Sequence, residues 1–287
     1  MSAQQADGIA EIVRELVRSA HIEVIPLRGA ETKLTAIPAT TIVTITCSPK
    51  FGLERTLEHA ALAVAAGYRV IPHLAARQVA DESGLRDFVG RLHDLGIKDL
   101  YVIGGDGAEP VGGYRDALEL LTALDGIDHG LERIGVACYP EGHPKIADEA
   151  LLDALLAKQR YAGYMVSQLC FDAEALVSWL RKVRQLGVQL PLRIGLAAPL
   201  KTSKLIELSL KIGVGSSIRF LTKQHGFLGN LLVGRAYEPE GLLGAVGPRL
   251  SSAELNIEGL HLFSFNQMDA TVEWQRRVAG FVPPARV

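Results

Sequence analysis

The sequence predicts an α/β protein, a (β/α)8 TIM barrel in a single domain with an N-terminal capping helix. Three observations predict it. Six apolar stretches end in turn on a polar or ionisable residue, at Glu23, Thr46, His73, Asp106, Tyr139 and Gln168, spaced 23 to 33 residues apart. Helical periodicity fills most of the intervals between them, as parallel βα units require. The apolar content is 48% and the mean hydropathy is +0.18, which suits a sheet buried on both faces. In a closed barrel the strand ends converge on one rim, and that rim carries the chemistry.

Each element has its own signal. Before the first strand, Ile9, Ile12, Val13, Leu16 and Val17 recur at helical spacing, and Asp7, Glu11 and Glu15 keep this segment from reading as a secretory leader. Apolar runs place strands at about 21–27, 41–46, 68–74, 98–103, 132–138, 163–168, 191–196 and 259–264. The clearest helices fall at about 52–66, 83–95, 113–124, 147–158, 172–186 and 201–212. Asp172 is placed to cap the fifth of these and Gly187 to end it. Residues 28–40 contain Pro38 and are too few for a full crossover helix, whereas 197–258 leave space for extra helices. Phe281–Val287, with its two prolines, reads as a loose tail. Residues 1–287 form one domain, with no linker or repeat.

Composition narrows the function. A net charge of −2 and a pI near 6.5 give no surface for nucleic acid. No window resembles a membrane span. Three cysteines without CxxC spacing argue against a disulfide framework or structural zinc, and for the cytoplasm. The eight histidines are scattered, without HExxH or facial-triad spacing, so no metal is expected. There is no Walker A, GxGxxG or GxSxG segment.

The chemistry-bearing candidates lie at the strand ends. Glu23 is an acid inside a buried strand. It either pairs with an arginine in the barrel or, with its pKa raised by burial, serves as a general acid. Tyr139-Pro140-Glu141-Gly142-His143-Pro144 places a phenol, a carboxylate and an imidazole in a stiff loop, which is either a rigid surface turn or part of a site. Gly104-Gly105-Asp106-Gly107 is either an ordinary turn or a place where a ligand approaches the backbone and Asp106 accepts its hydrogen bonds. Gln168 can read an amide edge of a ring. His73 is either a satisfied core histidine or a ligand contact.

Taken in order, these endings resemble the methylenetetrahydrofolate reductase family over about residues 21–268. Glu23 falls at the family's first-strand glutamate. Thr46 matches the second strand, followed by Gly52-Leu53-Glu54-Arg55-Thr56. Pro72-His73-Leu74 matches the third strand and Asp106 the fourth. Tyr139 to Pro144 matches the fifth-strand motif, and Gln168 with Phe171-Asp172 the sixth. The resemblance implies reduction of 5,10-methylenetetrahydrofolate, with Glu23 as catalytic acid. Asp106, Gln168, Thr46 and Tyr139 would bind the folate, and His73, Gly105, Tyr139, Glu141 and His143 would meet the cofactor.

The departures concern the flavin. The family's strand-four arginine is replaced by Gly104. Lys158 and Arg160 precede Ala162-Gly163, as phosphate-binding basic residues do in the family, but the stretch to Gln168 is about two residues shorter. The first crossover is abbreviated. These losses resemble the family's flavin-independent branch, which implies NADH or NADPH as direct hydride donor and makes FAD doubtful. An FAD enzyme using Lys158, Arg160 or Lys201, and a non-catalytic folate- or flavin-binding barrel, are the alternatives. Folate and a nicotinamide dinucleotide are the expected small-molecule partners, with neither nucleic acid nor membrane, and homo-oligomers are left open.

Overall fold

The computed structural model describes residues 3–211, 236–250 and 252–280. The tail at 281–287 and the last residue of the 201–212 helix lie outside them. Helix α1 (Ala3–Arg18) leads into strand β1 (His21–Val24). A short helical turn α2 (Ala30–Lys33) and a 3-10 turn at Leu34–Ala36 then cross to β2 (Ile42–Ile45). Regular βα units follow: α3 (Gly52–Ala65), β3 (Arg69–Ala75), α4 (Glu82–Asp94), β4 (Asp99–Ile103), α5 (Ala117–Asp125) and β5 (Arg133–Cys138). They continue with α6 (Asp148–Lys158), β6 (Tyr164–Ser167), α7 (Ala173–Gln185) and β7 (Leu192–Ala197). The last connection carries β8 (Leu200–Lys201), α8 (Thr202–Lys211), β9 (Ala236–Tyr237) and α9 (Glu240–Val246). Strand β10 (Ile257–Phe263) and α10 (Met268–Ala279) follow. The barrel is closed in the order β1-β10-β7-β6-β5-β4-β3-β2, and every pairing in it is parallel.

The fold agrees with the sequence in all eight barrel strands, with boundaries within two residues of those expected except at the end of β1 and the start of α5. β1 stops at Val24 because Pro26 can donate nothing to a neighbouring strand. The Asn266 side chain instead bonds both the N–H and the carbonyl of Ile25, each at 2.9 Å. α5 begins at Ala117 rather than 113, because Asp116 caps the N–H groups of Leu118 and Glu119 at 2.8 and 3.0 Å. The abbreviated first crossover is fixed by the Tyr68 hydroxyl, whose one proton is shared between the carbonyls of Leu34 and Ile37, 2.6 and 2.7 Å away.

Side chains alternate along each strand. Ile22, Val43, Val70, Leu100, Val136, Met165, Ile194 and Leu260 belong to the large apolar layer between barrel and helices. Ile71, Tyr101, Tyr164 and Val166 form a separate cluster inside the barrel. Glycines leave the space: a Cβ at Gly135 would lie 2.3 Å from the Tyr164 ring, and one at Gly195 would lie 2.2 Å from the Ser167 carbonyl oxygen and 2.8 Å from Phe263. Toward the strand starts, the ion pairs Arg69–Asp99, Arg133–Glu258 and Arg193–Glu258 hold the barrel floor. α1 packs on α10 and β10, and Gln275 on α10 donates to the Val17 carbonyl at 2.9 Å. The interior is thus filled below and polar above, which leaves the strand ends as the working face.

Candidate active site

Glu23 lies on the inward face of β1, 8% exposed. Its partner is a histidine rather than the arginine considered from the sequence: His261 Nε2 on β10 donates to Glu23 Oε2 at 3.1 Å. The Ser264 hydroxyl donates to the Glu23 carbonyl and fixes the strand end. This carboxylate–imidazole pair is fully inside the barrel, since His261 is 2% exposed.

Around the pair is a wall of rings. His261 packs edge-on against Phe263 at 4.8 Å, and its ring centre is 6.3 Å from His73 and 6.4 Å from Tyr101. His73 meets Tyr101 edge-on at 4.6 Å. Burial, with His261 adding to it, holds the His73 imidazole well below its usual range, so this ring is neutral. His73 Nε2 and the Thr44 hydroxyl, which is in register with Glu23, are buried without a hydrogen-bond partner among the described residues. They face the same interior as Glu23 and can serve a bound ligand.

A second cluster forms across the β4 and β5 loops. Tyr139 and His143 meet edge-on at 5.1 Å. Burial pushes the Tyr139 phenol up to about 12, and the charges of Asp106 and Cys138 push the same way. Burial also lowers His143, which Asp106 opposes. Asp106 itself is exposed and open to a ligand. Gly105 has φ +93, where a side chain is strained, and a Cβ there would meet Ala75 at 3.0 Å. The turn therefore needs glycine for its own geometry, whether or not a ligand approaches it.

The remaining predicted residues sit at the rim in more structural settings. Thr46 is half-buried; its N–H donates to Val24 and its carbonyl accepts from the Thr56 hydroxyl, both at 3.0 Å. Gln168 is half-buried, and its Oε1 accepts from the Leu169 N–H at 2.9 Å, which leaves the Nε2 amide as the group for a ring edge. Glu141 Oε1 accepts from the N–H groups of Phe171 and Asp172 at 2.6 and 2.8 Å, tying the β5 loop to the loop that carries Gln168. Before any contact with a cofactor, Glu141 is thus an anchor between two rim loops. Sequence reasoning did not single out His261, although Gly259, His261 and Phe263 alternate along a predicted strand and so share its inward face.

The fit to a flavin's diphosphate can be tested on the basic residues and helix starts. Lys158 is buried, with its ammonium donating to the Ala137 carbonyl at 3.3 Å, and burial lowers its pKa. Arg160 stacks on Tyr161 at 4.4 Å, in the turn before β6, where the chain is at the strand starts. The helix starts that follow β3, β4 and β6 bear the carboxylate caps Asp81, Asp116 and Asp172. Those N–H groups, the usual anion donors, already face carboxylates. The starts of α3 and α6, after β2 and β5, carry no side-chain cap and keep their N–H groups for an anion. No group of three or more His, Cys, Asp or Glu among the described residues could hold a metal ion. No helix among them is long and apolar enough to cross a membrane.

A family model described as methylenetetrahydrofolate reductase matches residues 30–214. Methylenetetrahydrofolate reductase 1 of Schizosaccharomyces pombe is 28% identical over 114 residues, which is 37% of this chain and 19% of that protein. Methylenetetrahydrofolate reductase 2 of Saccharomyces cerevisiae is 29% identical over 125 residues, 40% of this chain and 21% of that protein. The match thus spans a minor part of either relative's length. Among solved structures, a dihydropteroate synthase from Thermus thermophilus aligns over 93% of this chain and 96% of its own at 13% identity and a TM-score of 0.43, a likeness too slight to bear on activity.

Proposed function

The chain belongs to the methylenetetrahydrofolate reductase family, and from that premise we propose that it reduces 5,10-methylenetetrahydrofolate to 5-methyltetrahydrofolate with hydride taken directly from NADH or NADPH. The observation that carries the proposal is the buried Glu23–His261 pair, 3.1 Å apart, on the working face of the barrel. The nicotinamide supplies the hydride; everything else is asked of the protein.

The methylene bridge must first open to an iminium, and opening requires a proton on the departing nitrogen. Glu23 delivers it from Oε1, where the neutral carboxyl carries its proton while Oε2 accepts from His261, and His261 stabilises the carboxylate that remains. A general acid of this kind contributes about 10²–10⁴ in rate. Asp106 and the free amide of Gln168 hold the pterin edge. His73, neutral, and Tyr139, a phenol at physiological pH because its pKa is about 12, are donors that do not compete for the proton. Thr46, Gly105, Glu141 and His143 complete the rim on which the nicotinamide is positioned. Hydride transfer then depends on holding two carbons in near contact, an effect of proximity and exclusion of water.

Direct transfer is favoured over a resident flavin by the carboxylate caps and by the settings of Lys158 and Arg160. A flavin must stay bound through every cycle, whereas a dinucleotide substrate leaves each time. Holding a ligand at nanomolar rather than at about 100 μM requires roughly 7 kcal/mol more binding energy, and diphosphate contacts are the natural source of it. The free cysteines suit a reducing compartment such as the cytoplasm. Initial-rate kinetics test the proposal. Intersecting double-reciprocal lines fit a ternary complex; parallel lines, together with a flavin spectrum in the purified protein, would replace it with the flavin shuttle.

A further inference from the structure

We propose that Arg77, on the β3–α4 connection, is a positioning residue that sets the strand-four loop carrying Asp106. Arg77 belongs to a 3-10 turn over Ala76–Gln78, beside the rim but outside the ring of strand-end residues. Its guanidinium is spent on three carbonyls of one loop: Nε donates to Gly107 at 2.7 Å, Nη2 to Ala108 at 2.6 Å and Nη1 to Arg115 at 3.2 Å. Its main chain engages the same loop, with the Arg77 N–H donating to Gly104 at 3.0 Å and the Val111 N–H donating to the Arg77 carbonyl at 2.9 Å. One residue thus makes five hydrogen bonds that bracket Asp106 on both sides.

The packing is matched to this template. A Cβ at Gly112 would fall 1.7 Å from the Ala80 carbonyl oxygen, and one at Gly105 3.0 Å from the Ala75 Cβ. The loop therefore lies backbone against backbone on residues 75–80. Between β4 and α5 it is a long glycine-rich connection, and such a segment is disordered by default unless something holds it. A planar guanidinium with a fork of donors spans several carbonyls at once, which an ammonium cannot. Among the described residues Asp106 has no side-chain hydrogen-bond partner to fix it, so its place comes from the loop. The consequence is a specificity device: with its guanidinium committed to loop carbonyls, Arg77 acts through the loop and fixes the carboxylate that reads the pterin.

This inference rests on the reading that Asp106 binds the folate, and the test separates the two. Arg77→Met, Arg77→Lys and Gly112→Ala are compared with the native chain in steady-state kinetics and in amide hydrogen exchange at Val111. Arg77→Met should raise KM for methylenetetrahydrofolate on the order of tenfold while kcat changes far less. Val111 should lose protection in parallel. Arg77→Lys, which keeps the charge but not the fork, should not rescue either readout. Gly112→Ala should reproduce both through an independent route. Placed on an Asp106→Asn background, Arg77→Met should add little further to KM, because the two act through one contact. Unchanged protection and KM in folded Arg77→Met would overturn the clamp. Lost protection with unchanged KM would overturn its role in positioning. A native chain without turnover would sink the reductase reading alone, and loss of Val111 protection in Arg77→Met would still support the clamp.

Discussion

Replacing Glu23 by glutamine isolates the proton from everything else the side chain does. Glutamine has the same shape, and its Oε1 can still accept the His261 Nε2–H that glutamate accepts at 3.1 Å. The strand end is untouched, because Ser264 bonds the Glu23 backbone carbonyl rather than the carboxylate. Stability should therefore shift by under about 1 kcal/mol, the scale of one exchanged hydrogen bond. Activity should fall by about 10²–10⁴, which is roughly 3–5 kcal/mol of barrier, because the amide has no proton to give. Glu23→Leu is the counterpart: it strands a buried imidazole and should cost about 1–3 kcal/mol of stability as well. The assay is loss of nicotinamide absorbance with methylenetetrahydrofolate, alongside a thermal melt by circular dichroism. A Glu23→Gln chain that melts like the native one and keeps its kcat would refute the acid role.

Other outcomes follow from the same geometry. His21 and His73 are both held neutral by burial, well below the ordinary imidazole range. Between those depressed values and about 6.5 the unfolded chain binds more protons, so stability is lost as pH falls through that window, by up to about 1.4 kcal/mol per pH unit for each histidine; denaturant midpoints against pH should show it, and His73→Gln should remove one share. Gly135→Ala would place a methyl 2.3 Å from Tyr164. It should cost about 1–3 kcal/mol and lower Tm, with Tyr164→Leu on the same chain recovering much of the loss. Glu141→Ala should free the N–H groups of Phe171 and Asp172 and weaken folate binding through Gln168 while Tyr139 keeps its high pKa, measured by phenolate absorbance in alkali.

The barrel was legible because parallel strands buried on both faces leave long apolar runs, and because each run ended on a polar residue at the rim. That signal needs no partner to be seen. Within the candidate site, position alone was enough to single out Glu23, Asp106 and Tyr139 for attention. Roles defined by contact were not legible. His261 gains its meaning from lying 3.1 Å from Glu23 across the seam that joins the first strand to the last, 238 residues away in sequence. Arg77 reads as one more loop cation until the strand-four loop is folded over it. Glu141, expected among the cofactor contacts, turns out to anchor a neighbouring loop, a distinction that depends on two backbone amides 30 and 31 residues further on. Lys158 and Arg160 look like phosphate ligands in sequence, but one is buried on a carbonyl and the other lies at the strand starts.

The most direct measurement is the fate of the hydride itself. Methylenetetrahydrofolate is turned over in flavin-free buffer with NADH or NADPH deuterated at the transferred position of the nicotinamide, and the product is weighed by mass spectrometry. Direct transfer predicts one deuterium in the new methyl group and none from heavy water as solvent. A flavin intermediary passes the hydrogen through a ring nitrogen that exchanges with water. An unlabelled methyl that gains deuterium only from solvent would therefore contradict the account.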